Sequence, residues 1–129
     1  MGYNLHSVLL AIGLAACSGA PIKINVSGAK NDIRFSAAAS KGASLACVNK
    51  LSVTPVTPDE AEPHWQVVST DPTKCISTVR YGTPTGDFAE NAPAASLVAN
   101  VIYRVRLSGA GFSEVRDFRL TPEGAVIAN

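Results

Sequence analysis

Residues 101–107 have the sequence Val-Ile-Tyr-Arg-Val-Arg-Leu, and residues 114–120 have the sequence Glu-Val-Arg-Asp-Phe-Arg-Leu. In the first stretch the apolar side chains Val, Tyr, Val and Leu share one face, and the two arginines lie on the other. This alternation has the period of a strand with one buried side. In the second stretch Phe118 and Leu120 are expected to point inward, while Asp117 and Arg119 point outward. The connection at 108–113, Ser-Gly-Ala-Gly-Phe-Ser, is rich in turn-forming residues. The two stretches therefore predict an antiparallel hairpin.

The rest of the chain after residue 21 contains further short runs that are typical of strands. They alternate apolar and polar residues or are rich in β-branched and aromatic ones, and prolines or glycines bound several of them. These runs lie at 22–26, 33–35, 45–53, 65–68 and 76–81. The stretches 36–44 and 83–96 are expected to be loops. The fold class that follows is all-β, with six to eight short strands in an antiparallel sandwich.

The stretch before the hairpin carries a resemblance to a known fold family. Leu97 lies six residues before Tyr103, which begins a Tyr-x-Val strand. This spacing resembles the entry to the sixth strand of fibronectin type III and related immunoglobulin-like domains, although Ala99 stands where those domains usually have Pro. The resemblance implies an immunoglobulin-like sandwich in which the Tyr103 hydroxyl anchors a corner. Trp65 is then expected to be a core residue, with a ligand platform as the alternative.

The beginning of the chain has the pattern of an export signal. Residues 1–16 contain no Asp, Glu, Lys or Arg, and an apolar run of nine residues at 8–16 is too short to span a bilayer. It ends in Leu14-Ala15-Ala16-Cys17, which resembles the bacterial lipobox. The alternative is a buried N-terminal strand or helix whose cysteine happens to follow two alanines.

The lipobox resemblance implies where the protein is located. In that family the peptide bond before the cysteine is cleaved and the thiol receives a diacylglycerol, so Cys17 is the expected lipidation site. Ser18 follows, and the absence of Asp there implies the outer membrane, facing the periplasm. The expected organisation is a signal peptide at 1–16, a lipidated tether at 17–21 and a β-sandwich at 22–129. No cofactor is expected.

Two further cysteines, Cys47 and Cys75, remain after the signal peptide. An exported chain enters an oxidising compartment, so this pair predicts one disulfide that closes a loop of 29 residues. Two separate buried thiols are the alternative. A metal site would need more ligands than His64, the one histidine after residue 16, can add.

Composition argues against several classes of function. The chain has 11 Lys plus Arg and 10 Asp plus Glu, so it has no surplus of positive charge for nucleic acid. His64 has no nucleophile motif beside it, and the acidic run 59–62 resembles a solvated loop rather than an acid–base pair. The chain is therefore expected not to be an enzyme, and it contains no expected catalytic or metal-binding residue.

The function predicted from these features is that of a binding or accessory module for an envelope protein. The candidate partner-binding residues are Asp87, Phe88, Glu90, Arg104 and Arg106. The arginines also have an alternative role, in which they pair across the hairpin with Asp117 or Glu114. Two other functions stay open: an inhibitor that blocks a hydrolase through loop 83–96, and a small hydrolase that uses His64.

Overall fold

The computed structural model describes residues 21–39, 44–59 and 61–129. The proposed signal peptide and the candidate lipidation site Cys17 lie outside these residues, so both stay predictions. None of the described residues belongs to a helix long and apolar enough to cross a membrane.

The described residues form nine strands in two antiparallel sheets. The three-stranded sheet has the order β1-β2-β5, and the six-stranded sheet has the order β6-β4-β3-β7-β8-β9. The strands are β1 (Ile22–Ala29), β2 (Asp32–Ala39), β3 (Lys50–Pro55), β4 (Trp65–Ser69), β5 (Thr78–Arg80), β6 (Phe88–Ala92), β7 (Tyr103–Gly109), β8 (Phe112–Leu120) and β9 (Val126–Ala128). The predicted all-β antiparallel class is confirmed.

Several predicted boundaries were wrong. The expected loop 36–44 begins inside β2, which continues to Ala39, and the expected loop 83–96 contains β6. Strands β6 and β9 were missed, because one reads Phe-Ala-Glu-Asn-Ala and the other has only three residues. Both lie at sheet edges, where exposed side chains remove the alternation that marks a half-buried strand.

The core lies between the inner faces of the two sheets. Alternate residues of β3, β4 and β7 point inward, as the hairpin sequence predicts. Trp65 is fully buried, so it is a core residue and not a ligand platform. Its indole Nε1 has no hydrogen-bond partner among the described residues, and the ring meets the Tyr81 ring edge-on at a centroid distance of 5.1 Å. The largest fully buried side chains are Trp65, Tyr103, Phe35, Phe118, Ile33, Leu51, Leu107 and Leu120.

The pairing defines two ends of the sandwich. The entry end, where β1 begins at Ile22, also contains the β7–β8 turn at 110–111. At the far end, the Lys30 N–H donates to the Gly124 oxygen at 2.8 Å, which joins the β1–β2 turn to the β8–β9 connection. The connections 56–64 and 93–102 lie at the far end too.

The predicted disulfide between Cys47 and Cys75 is confirmed. It joins the segment after β2 to the segment before β5, beside a hydrogen bond of 2.7 Å from the Val48 N–H to the Ile76 oxygen. At the entry end, the disulfide therefore links the two segments in which the chain passes between the sheets, from β2 to β3 and from β4 to β5.

Replacing both cysteines with serine is expected to lower the free energy of unfolding by about 3–4 kcal/mol, because the unfolded chain regains the freedom of a closed loop of about 29 residues. Urea unfolding followed by Trp65 fluorescence measures this change. A matched control is the unsubstituted protein with reductant, which should unfold at nearly the same midpoint as the double variant. Equal stability of the oxidised protein and the double variant would contradict the expectation.

Candidate functional site

The outer face of the six-stranded sheet carries the arginines that the sequence singled out. Because side chains alternate along β7, Arg104 and Arg106 point away from the core. The register sets Arg104 beside Thr54 and Arg106 beside Ser52 on β3. Two guanidinium groups and two hydroxyl groups therefore form a compact polar surface.

A groove of about 270 Å³ runs along this surface. Its wall is the β3–β4 connection, which leaves the sheet after Pro55 and turns back through a hydrogen bond of 3.2 Å from the Ala61 N–H to the Pro58 oxygen. The residues that line the groove are Ser52, Thr54, Pro55, Val56, Pro58, Asp59, Ala61, Arg104 and Arg106.

Arg104 is held in place by Asp117 on the neighbouring strand β8. Nε lies 2.8 Å from Oδ1 and Nη2 lies 3.1 Å from Oδ2, so the contact is bidentate. The hydrogen bond, followed by the opposite charge, raises the pKa of the Arg104 guanidinium. Pairing across the hairpin, the alternative considered for the arginines, is thus formed by Arg104 with Asp117.

Arg106 lies one full pleat from Arg104 and faces the same groove. It is exposed, and its neighbours across the ladders are Ser52 and Val115. None of the described carboxylates forms an ion pair with it. Asp59 also lines the groove, so the site combines an oriented cation, a second cation and one carboxylate.

An exposed apolar patch adjoins the groove at the far end. Val98 is 56% exposed and Ile102 is 43% exposed. The Ile102 oxygen accepts a hydrogen bond of 3.0 Å from the Val56 N–H, which sets the patch against the groove wall. Sequence reasoning missed both residues. The sequence did contain one indication of the patch: Ile102 is apolar but alternates with Arg104 and Arg106, so it lies on the outward face of the stretch.

Tyr103 positions this patch. Its ring is buried, and its hydroxyl accepts a hydrogen bond of 2.9 Å from the Val98 N–H. The Tyr81 hydroxyl donates to the Ala95 oxygen at 2.6 Å, and burial raises the pKa of that hydroxyl. Two tyrosines therefore fix the connection 93–102 from the core side.

The other candidate residues lie elsewhere. Asp87 is occupied at the entry end, where its carboxylate meets the Lys74 amine at 3.3 Å and its main-chain oxygen accepts from the Thr70 N–H at 2.7 Å. Phe88 is buried in the core, and Glu90 is exposed on β6. Because β6 and β7 are separated by three strand spacings, about 14 Å, these residues do not share a site with the arginines.

His64 packs its ring on Tyr103 at a centroid distance of 5.4 Å. Among the described hydrogen bonds, its main-chain groups bond to Val53, Ala95 and the Tyr81 hydroxyl, and none uses its ring. In residues 21–39, 44–59 and 61–129, no three His, Cys, Asp or Glu side chains gather closely enough to hold a metal ion. Of the acidic run, Glu60 lies outside the described residues.

The groove and the patch together present cations beside apolar side chains. Such a surface is suited to a partner that carries carboxylates next to apolar residues. In comparisons with known proteins, no protein-family model, curated protein or solved structure matches this chain.

Replacing Tyr103 with Phe is expected to lower the free energy of unfolding by about 1–2 kcal/mol, because the Val98 N–H loses its acceptor. The same change should speed hydrogen exchange of the Val98 amide, which NMR measures residue by residue. Tyr81→Phe is the matched control and should leave the Val98 amide protected. Unchanged exchange at Val98 in the Tyr103 variant would show that the hydroxyl does not fix this connection.

Proposed function

We propose that this protein is a lipid-anchored binding module, held through Cys17 at the outer membrane on its periplasmic side, that recruits another envelope protein. The observation that carries the proposal is the position of the apolar patch at the far end of the sandwich, with the groove running from it toward the middle of the sheet. The chain enters the fold at the opposite end, at Ile22. A tether there leaves the groove and the patch directed away from the membrane.

The lengths of the proposed tether and of strand β1 are compatible with a far end that is directed away from the membrane. Five residue steps separate Cys17 from Ile22, and they span at most about 18 Å when fully extended. Strand β1 then carries the chain toward the far end over about 26 Å, at about 3.3 Å for each of its residues. The groove and patch would stand within the periplasm, within reach of a partner that is not itself in the membrane.

We also propose that the sandwich is immunoglobulin-like, as the Leu97–Tyr103 spacing implies, and the strand order supports this. The orders β1-β2-β5 and β4-β3-β7-β8 follow the arrangement A-B-E and C′-C-F-G of that architecture. Strand β7 takes the place of strand F, and Tyr103 near its start bonds back to residue 98 as a tyrosine corner does. On this view β6 and β9 are additions at the two edges of one sheet.

Binding is proposed rather than catalysis because of the chemistry that the groove offers. Arg104 and Arg106 recognise anionic groups, and the side chains of Val98 and Ile102 offer apolar contact area. The inhibitor alternative depends on residues 83–96. In that segment Phe88 is buried and Asp87 is paired with Lys74, so these two candidate residues are occupied, while most of the other residues in the segment are exposed.

The anchor is tested by the intact mass and fractionation of the protein expressed in a Gram-negative bacterium. We expect a chain that begins at Cys17, carries acyl chains and sediments with the outer membrane. The Cys17→Ser variant should keep its precursor mass and carry no lipid. A wild-type chain that stays soluble with Met1 in place would refute the anchor.

The binding surface is tested by photo-crosslinking in the same cells. A photoreactive amino acid at Val98, Ile102 or Arg106 is expected to give one adduct of a single mass. Matched control positions are Asn25 and Thr78, which are exposed on the three-stranded sheet. In a second strain Arg106→Glu should reduce the Ile102 adduct at least fivefold, since it reverses a charge in the groove. Equal adducts from the control positions would refute a dedicated site on this face.

A further inference from the structure

Strand β8 is paired along only part of one side. On one side, β7 pairs with β8 from Phe112 to Phe118. On the other side, β9 pairs with residues 118–120, and the Asn129 N–H donates to the Asp117 oxygen at 3.0 Å. No strand among the described residues pairs with residues 113–116 on the β9 side. We call residues 113–116 the open edge of β8.

The open edge presents hydrogen-bonding groups outward. The Asp117 oxygen and the Thr121 N–H both face the β9 side, where Thr121 donates to the Ala125 oxygen at 2.9 Å. Main-chain groups alternate in direction along an antiparallel strand. Ser113 and Val115 therefore direct their N–H and C=O groups to the same side, two donors and two acceptors in line with β9.

Two cavities lie along this edge, on opposite sides of the strand. One, of about 290 Å³, lies between β8 and β1 and is lined by Ile22, Lys23, Ile24, Glu114, Val115, Arg116 and Asn129. The other, of about 240 Å³, lies toward the outer face and is lined by Arg104, Val115, Arg116, Asp117 and Asn129. Side chains of an added strand alternate between two faces, so successive residues would enter the two cavities in turn.

The contacts around the open edge favour a single extended segment as its binding partner over a second copy of this chain. The Arg116 side chain crosses the inner cavity between β8 and β1. Its Nη1 donates to the Ile24 oxygen at 2.7 Å, and its Nε donates to the Asn129 oxygen at 3.3 Å. Pairing two copies around Val115 would set Ser113 of one copy opposite Asp117 of the other, where Asn129 already lies. A lone strand that pairs only with residues 113–116 leaves the contact between Asn129 and Asp117 intact.

The charges along the edge indicate what the segment contains. Arg116 and Lys23 line the inner cavity with one carboxylate, Glu114, so an acidic residue is complementary opposite Arg116. Val115 is 45% exposed, which favours an apolar residue opposite it. An antiparallel strand meets these two positions in the order acidic, then apolar.

We propose that the open edge of β8 is a strand-addition site for a short extended segment of a partner protein, with an acidic residue opposite Arg116 and an apolar residue opposite Val115. This inference goes beyond the proposed function and does not depend on the lipid anchor or on the groove. Main-chain hydrogen bonds supply the attraction, and the two cavities select the side chains.

The test uses the full chain and the synthetic peptide acetyl-Glu-Val-Thr-Val-Thr-Lys-amide. Titration is expected to slow hydrogen exchange of the Val115 amide, with a dissociation constant of at most about 1 mM. At about 5 mM peptide such a site would be more than four-fifths occupied. No protection of Val115 at that concentration would overturn the proposal.

Matched peptides distinguish strand addition from non-specific binding. N-methylation of the first Val removes the N–H that faces β8 and should weaken binding at least tenfold, whereas N-methylation of the following Thr should leave binding unchanged. Replacing Glu with Lys in the peptide should weaken binding by up to about fivefold. Equal effects of the two N-methyl groups would contradict pairing with β8.

Two protein variants complete the test. Val115→Pro removes the outward N–H at a position where an edge strand tolerates proline, and it should abolish peptide binding. Val115→Thr keeps the N–H and should retain binding within about threefold. Trp65 fluorescence confirms that both variants remain folded. If Val115 protection rises with protein concentration alone, the occupant is a second copy and the proposed partner segment is wrong.

Discussion

The contact between Phe118 and Phe35 is the interaction on which the rest of the structure depends. Phe118 belongs to the six-stranded sheet and Phe35 to the three-stranded sheet, and their rings meet edge-on at a centroid distance of 5.5 Å. Tyr103 extends the cluster, with its ring 5.9 Å from that of Phe118. This contact joins the two sheets, and Tyr103 in the same cluster holds Val98 through its hydroxyl. Because side chains alternate along β7, a buried Tyr103 leaves Arg104 pointing outward.

The sequence predicted those features that depend on residues close together in the chain or on residue type alone. The alternation at 101–107 predicted β7 and the direction of its arginines, and the cysteine pair predicted the disulfide, because neither needs knowledge of distant contacts. The groove, the Val98–Ile102 patch and the Arg116 contact could not be predicted in this way. Arg116 bonds to Ile24 across 92 positions of sequence, and only the closed sandwich brings them together. Strand β6 was missed because an edge strand exposes residues such as Glu90 that a loop also exposes.

The six-stranded sheet has different features on its inner face, on its outer face and along its β8 edge. The inner face buries apolar side chains against the other sheet, and this burial supplies the stability. Arg116 is a polar exception, since it bonds to the Ile24 oxygen of β1. The outer face has the groove, where Asp117 orients Arg104 and so reduces the freedom that Arg104 would lose when it binds an anion. The open edge of β8 adjoins the groove, because Arg104 lines both the groove and the outer cavity and Arg106 lies opposite Val115 in the ladder. A partner bound at one of the two proposed sites would therefore lie beside the other.

The hydrogen bond between Lys30 and Gly124 has a consequence for how the chain is made. It joins the turn after the first strand to the connection before the last described strand, so the sandwich cannot close while the ribosome is still making the intervening residues. Folds dominated by such distant pairings form slowly, because a long loop must close before any contact offsets its cost. A nascent chain of this kind is expected to stay unfolded until its last strands are made, and an unfolded chain is the state that the proposed export would require.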